Sequence, residues 1–255
     1  MTTSHPRILV VEHEADDPPA WFGVWLEGAG CDLHVCQPWA GDALPTGLDG
    51  YAGLLVMGGW MSAHHDAEVS WLAGVKDLVR EAVAARMPMF GICLGHQVAT
   101  VALGGTVVVK NPTGQQIGLL PVAWTDAAAG DPLFGAVATG PGEPPRRGIH
   151  WNSDIVSELP PGASLMATAP GGEIQAARFA DAAWGVQWHP EIDEPLLRRW
   201  VDEEPDQPRE AGVDADQVLA EVEAARAELD AAWRPLAERF AALVTAYSTA
   251  AVAAR

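Results

Sequence analysis

Apolar positions along the chain fall into short continuous runs separated by stretches of helical period. Residues 8–11 (Ile-Leu-Val-Val) form an apolar run that reads as a buried strand. Over 18–29, Trp21, Phe22, Trp25 and Leu26 recur on one helical face, and Gly30 closes the segment. Residues 33–36 and 54–57 read as two further strands, the second stopping abruptly at Gly58-Gly59. Trp71, Leu72, Val75, Leu78, Val79 and Val83 mark a helix of about four turns by their spacing. Residues 87–92 are again continuously apolar. Strands alternating with helices predict right-handed crossovers and an α/β fold: an open, mostly parallel sheet with helices on both faces.

The texture changes between 104 and 185. Stretches 106–110, 119–124, 164–169, 175–179 and 183–187 read as short strands divided by Gly, Pro and Asp clusters. They predict a small antiparallel elaboration beside the main sheet, with long loops at 111–118 and 139–148. Residues 191–216 are strongly acidic and read as a solvated connection. Beyond 214 a long amphipathic pattern runs through Val218, Leu219, Val222, Leu229, Trp233, Leu236, Phe240 and Val244. Pro235 should kink it or split it into two helices. The expected organisation is a catalytic domain over 1–193. A connection and C-terminal helical extension over 194–255 dock on that same domain.

Composition narrows the function. The chain has 255 residues, 49% of them hydrophobic and 19% charged, which excludes wholesale disorder. Fifteen basic side chains against 34 acidic ones give a formal charge of −19, unfavourable for nucleic-acid or anionic-membrane binding. No apolar stretch approaches the roughly 18 residues needed to cross a bilayer, and residues 1–11 lack the form of a signal peptide. Three cysteines do not make a disulfide framework. A cytoplasmic enzyme acting on a small molecule, without nucleic-acid or membrane partners, is the expected class.

The apolar run 87–92 leads into Gly91-Ile92-Cys93-Leu94-Gly95-His96-Gln97, followed by a helical pattern. A nucleophile between nearby glycines at a strand-to-helix junction is a nucleophile elbow, with Cys in place of Ser. The turn aims the thiol off the carboxyl edge of the sheet, and the helix N-terminus favours thiolate. A thiolate nucleophile needs a base and an orienting acceptor, and Gln187-Trp188-His189-Pro190-Glu191 supplies both. Pro190 keeps His189 extended, and His189 and Glu191, two apart, then share a face. Acyl transfer also needs oxyanion donors. The N–H of Leu94, directly after the nucleophile, is one; Gly58-Gly59 at the neighbouring strand end offers another. His64-His65 lacks a third ligand at metal spacing, so no metal and no cofactor are expected.

These residues resemble the triad-type (class I) glutamine amidotransferase family. The Cys93 elbow, Gly185-Val186-Gln187-Trp188-His189-Pro190-Glu191, Gly58-Gly59 with Met61-Ser62, and the run 118–122 carry the resemblance over roughly residues 7–193. It is strongest to free-standing members that look like the glutaminase domain of GMP synthase. The resemblance implies Cys93 as nucleophile, His189 as base then acid, and Glu191 as its orienter. It also implies backbone N–H groups of Gly59 and Leu94 as oxyanion hole, with Gly58 beside them. Gln97 and the loop near Gln116 would form the glutamine pocket. Two positions depart from the family: Trp60 replaces a proline, and Asn152 replaces a histidine.

The implied reaction is hydrolysis of a γ-glutamyl amide through a Cys93 thioester. The chain is then either a stand-alone hydrolase or an ammonia-supplying subunit for a separate synthase. No Walker-type phosphate loop is present to make it its own synthase. A catalytically idle binding module is the competing class, and the intact Cys93, His189 and Glu191 argue against it.

Overall fold

The structure, a computed structural model, describes residues 5–140 and 142–253. Pro141 in the expected 139–148 loop and the first four residues of the N-terminal stretch lie outside the described residues. The amino-terminal part alternates β1 (Arg7–Val11), α1 (Ala20–Gly28), β2 (Asp32–Cys36), β3 (Gly53–Val56), α2 (Leu72–Ala85), β4 (Met89–Ile92) and α3 (Leu94–Ala102). There follow β5 (Thr106–Val108), β6 (Gln116–Trp124), α4 (Asp126–Ala129), β7 (Arg146–Asn152), β8 (Ile155–Glu158), β9 (Ser164–Thr168), β10 (Ile174–Ala180) and β11 (Ala183–Val186). The chain closes with α5 (Glu194–Glu203), α6 (Asp206–Glu210), α7 (Ala215–Ala224) and α8 (Arg226–Ala253).

Nine strands form one sheet in the order β2-β1-β3-β4-β11-β10-β9-β6-β7, and β5 pairs with β8 separately. Pairings from β2 through to β11 are parallel. From β11 outward to β7 they are antiparallel. The predicted antiparallel elaboration is therefore continuous with the main sheet rather than beside it, apart from the β5–β8 pair. Two adjacent strands, β4 and β11, lead into the Cys93 and His189 motifs; Ala183 to Val186 run in register with Met89 to Ile92.

Alternation along each parallel strand feeds two cores. Ile8, Val10, Leu55, Met57, Phe90 and Ile92 face α1 and α8. Leu9, Val11, Leu54, Val56 and Met89 face α2 and α3. The Phe90 ring stacks on Phe22 of α1, with centroids 5.3 Å apart, and meets Phe240 of α8 at 5.8 Å. Helix α8 thus closes the face of the sheet beneath the elbow strand.

Three sequence expectations need correction. The loop readings overreach: 116–118 belongs to β6, and 146–148 to β7. Residues 191–216 are not a bare solvated connection, because α5 buries Leu196, Leu197 and Trp200. The C-terminal pattern divides at Ala225, whereas α8 continues unbroken past Pro235. Proline leaves the carbonyl four residues back without its helical donor. That carbonyl, Ala231 O, accepts from Arg146 Nη1 at 3.5 Å. Neighbouring contacts fix β7 to the same helix: Arg147 pairs with Glu228, and Trp233 Nε1 donates to Arg147 O at 3.1 Å.

Candidate active site

Cys93 sits between β4 and α3 with φ 49° and ψ −106°, a left-handed conformation that an L-residue adopts only under constraint. Crowding explains the flanking glycines. A Cβ on Gly95 would lie 2.1 Å from Val56 O, and one on Gly91 would lie 2.5 Å from Gly95 O. The elbow passes too close to β3 for any side chain there. Leu94 is the first residue of α3, so its N–H is among those the helix cannot satisfy internally. Gly59 lies against it: a Cβ on Gly59 would approach Leu94 Cδ2 to 3.0 Å.

Trp188 sets the second motif. Its ring is wholly buried against Trp233 and Trp124, at centroid distances of 5.0 and 5.8 Å, and over Gly148, where a Cβ would come within 2.7 Å of it. His189 N–H donates to Ile149 O at 2.7 Å, so β7 bridges to the segment following β11. From that anchored backbone, His189 Nδ1 donates to Glu191 Oε1 at 2.7 Å, and the imidazole faces the Cys93 sulfur. Trp200 of α5 walls the ring edge-on at 4.8 Å.

The electrostatics of the group are those of a charged relay. Burial pushes the His189 imidazole down, but the Glu191 carboxylate and Cys93 sulfur outweigh it, leaving the imidazole well above the ordinary histidine range. Three other buried histidines lack such partners. Burial lowers His13 to about 4 and His96 to about 3; burial and then the His189 charge lower His150 to about 3.

A cavity of about 380 Å³ opens over Cys93 and His189. Of the residues singled out from sequence, Gly59 and Gln97 line it; Gly58, Leu94, Glu191 and Gln116 do not. Gln97 is nearly buried, its Nε2 donating to Asp154 O at 3.0 Å and Gln187 Oε1 at 3.2 Å. Gln116 begins β6 instead of lying on a loop, and its Oε1 is held by Gln175 and Asn152. The far wall is instead Trp151 to Asp154.

Sequence reasoning missed several residues at the site. Gln187, inside the quoted motif, donates to Cys93 Sγ at 3.5 Å. Glu14, Asp16 and Asp17 come from the loop after β1, and Trp200, Glu203 and Glu204 from α5 and its end. The only signal for the first three was their place beyond the carboxyl end of a parallel strand. Asp17, His189 and Glu191 each bring one potential ligand atom to within 4.8 Å of the others, the only such group among the described residues. His189 Nδ1 is already committed to Glu191 there. His65 lines the cavity, and its Nδ1 accepts from Ser62 N at 3.1 Å.

The three thiols differ in setting. Burial pushes Cys31 up to about 11, and burial with the Asp42 charge raises Cys36. Only Cys93 faces an imidazole. Iodoacetamide at neutral pH is expected to alkylate Cys93 first. Peptide mapping that found Cys31 or Cys36 labelled ahead of it would contradict that reading.

Comparison with known proteins agrees with the fold and motifs. The sequence profile described as "Glutamine amidotransferase class-I" matches residues 26–195. The glutamine amidotransferase-like protein YfeJ of Salmonella typhimurium is 30% identical over 189 residues, covering 73% of this chain and 76% of that one. The glutamine-hydrolyzing GMP synthase of Xanthomonas oryzae pv. oryzae is 31% identical over 174 residues, covering 65% of this chain but only 31% of the synthase. A solved glutamine amidotransferase from Methylobacillus flagellatus superposes with a TM-score of 0.80 at 26% identity, over 96% of both chains. Another, from Thermotoga maritima, has the same TM-score at 23% identity, over 93% of this chain and 98% of that one, a likeness of fold. The chain belongs to the class-I glutamine amidotransferase family.

Proposed function

We propose that the protein hydrolyses γ-glutamyl amides, glutamine or a larger γ-glutamyl compound, through a thioester on Cys93. The observation that carries this reading is the contact of His189 with both Cys93 and Glu191 beside a cavity at the sheet's carboxyl edge. In the first half-reaction His189 holds the thiol's proton while the sulfur attacks the γ-carbonyl. The oxyanion is held by the N–H groups of Gly59 and Leu94. His189 then returns the proton to the departing ammonia or amine, and in the second half-reaction activates water against the thioester. Gln97 lines the pocket, and Gln187 holds the sulfur from the buried side. Residues 1–193 form the catalytic unit, and 194–255 dock on it, lending the Trp200 wall. A cytoplasmic setting suits the acidic chain, and no described helix is long and apolar enough to cross a membrane.

Hydrolysis without a synthase is the favoured branch. Trp60, two-thirds exposed, stands at the cavity mouth among Glu14, Asp16, Glu203 and Glu204, with Lys110 and the Arg199 that pairs with Asp16 as opposing charges. Such a mouth attracts a neutral or cationic amine and repels an anionic one. Purified protein without ATP or added metal is expected to release glutamate from a γ-glutamyl panel, with Cys93→Ala as blank. Cationic amines should be preferred to leaving groups ending in carboxylate, and the preference should shrink in high salt. Silence across the panel, with activity only after a cell-extract fraction is added, would instead assign a glutaminase subunit feeding a separate synthase. No labelling of Cys93 by a glutamine-analogue electrophile would indicate a binding module.

A further inference from the structure

The loop after β1 touches both halves of the catalytic apparatus. Glu14 Oε1 accepts the backbone N–H of Trp60 at 2.6 Å, directly after Gly59. Three residues on, Asp17 is buried, with an oxygen against Gly58: a Cβ there would lie 3.0 Å from Asp17 Oδ2. The same carboxyl group comes within 4.8 Å of His189 and Glu191, and both Asp17 Oδ1 and Glu191 Oε2 are buried without a partner. The Glu14 and Asp17 carboxyl groups adjoin closely enough to share a proton.

Two carboxylates cannot share a hydrogen bond unless one carries a proton, because an ionised carboxylate only accepts. Glu14 already accepts an N–H and is partly exposed, so it is the charged member. Asp17 is fully enclosed beside Glu191, so it is the acid. We propose that Glu14 and Asp17 form a proton-sharing clamp that positions the oxyanion loop at Gly58–Trp60 against the His189–Glu191 pair. Both are positioning residues: neither reaches the sulfur, and each acts through the group it holds. The role rests on the hydrolase reading of Cys93. Burial foremost, then the charges of Glu14 and Glu191, push the Asp17 carboxyl well above its ordinary range, against the pull of His189.

Every charged neighbour of the clamp is accounted for. Asp16 on the same loop is paired with Arg199 of α5 at 2.7 Å and bordered by Glu203. Glu204, just beyond α5, faces Glu14. His189 and Glu191 follow β11, and His13, ending the approach from β1, is buried and uncharged at neutral pH. Losing the shared proton would leave Glu14, Asp17 and Glu191 ionised around one imidazolium. The first two would separate and release Trp60 N–H, and with it the Gly59 donor.

The test has one arm that needs no substrate. Infrared difference spectra at neutral pH, wild type against Asp17→Asn, should show a protonated-carboxyl C=O stretch present only in the wild type. In turnover, Asp17→Ala and Glu14→Ala should lower kcat by about tenfold or more with KM little changed, as a displaced oxyanion donor would. Asp17→Asn, whose amide still donates to Glu14, should recover most of that loss. Its alkaline limb of kcat should move to higher pH, which a merely structural role would not cause. Glu14→Gln serves if an alanine variant does not fold. An absent C=O stretch, or an Asp17→Asn alkaline limb unchanged from wild type, would overturn the clamp. Absence of turnover in the wild type would sink the hydrolase reading while leaving the infrared result to judge the proton.

Discussion

Cys93→Ala is expected to leave no glutamate release above background, and His189→Ala to lower kcat/KM by roughly ten-thousandfold. The argument is geometric. The Nδ1–H of His189 is spent on Glu191, so Nε2 is the nitrogen left for the sulfur and afterwards for the leaving amine. Without the imidazole nothing within reach can carry that proton, because His96 and His150 are enclosed in the core. The three groups act as one unit, so the Cys93→Ala/His189→Ala double variant should be scarcely worse than either single one. Glu191→Gln should be milder, since the amide oxygen still accepts from Nδ1 but the charge opposing the imidazolium is gone. Steady-state kinetics on the best γ-glutamyl substrate decide it. Near-normal turnover by His189→Ala would force another base into the scheme.

The second large effect is loss of stability in mild acid. His13, His96 and His150 are held neutral by burial, with values of about 4, 3 and 3 against an unfolded value near 6.5. A depressed histidine contributes stability that is complete above the unfolded value and is lost as pH falls toward the folded one. Between pH 6 and 4 the unfolded chain therefore binds about three more protons at these sites. Asp17 runs the other way, as Glu12 and Glu14 do to a smaller extent, because a raised value lets the folded state keep a proton that the unfolded state has released. The net difference is then about one to two protons, so unfolding free energy should fall by roughly 1–3 kcal/mol per pH unit below pH 6. Above pH 7 the sign reverses. His189 and Asp17, both raised, lose their contributions as pH climbs through their folded values. Urea unfolding at half-unit steps from pH 5 to 8 should show a maximum near neutrality. A flat line from 5 to 6.5 would mean that the three imidazoles find partners for a proton.

What could be read in the sequence follows from how strongly one physical requirement dominates each segment. The runs that became β1, β3 and β4 are buried on both faces, so their composition alone marks them. The elbow is legible because the close approach of Gly95 to Val56, and of Gly91 to Gly95, admits only glycine at 91 and 95. Strand β7 was hidden because Arg146, Arg147, His150 and Asn152 break any apolar alternation; the arginines find partners on α8 and Asn152 on β6, while His150 is buried without one. The continuity of α8 past Pro235 could not be foreseen, since the donor replacing the missing N–H lies 85 residues away. Asp17 and Trp200 escaped for a related reason. One precedes a Pro-Pro pair that reads as a turn, and the other lies in an acidic stretch that reads as solvated. Only the folding of β1 and α5 around the end of β11 gives either residue chemical meaning.

The pairing of β4 with β11 also sets a hazard during synthesis. Roughly ninety residues separate the two strands in the chain, yet they are sheet neighbours. At ordinary elongation rates β4 waits roughly 5–20 s on the ribosome with one edge unpaired. That edge is an apolar run, the kind that recruits strands from other nascent chains. Its other cover, Phe240 of α8, arrives later still. Chaperone demand and inclusion-body formation should therefore depend on how fast residues 93–186 are translated.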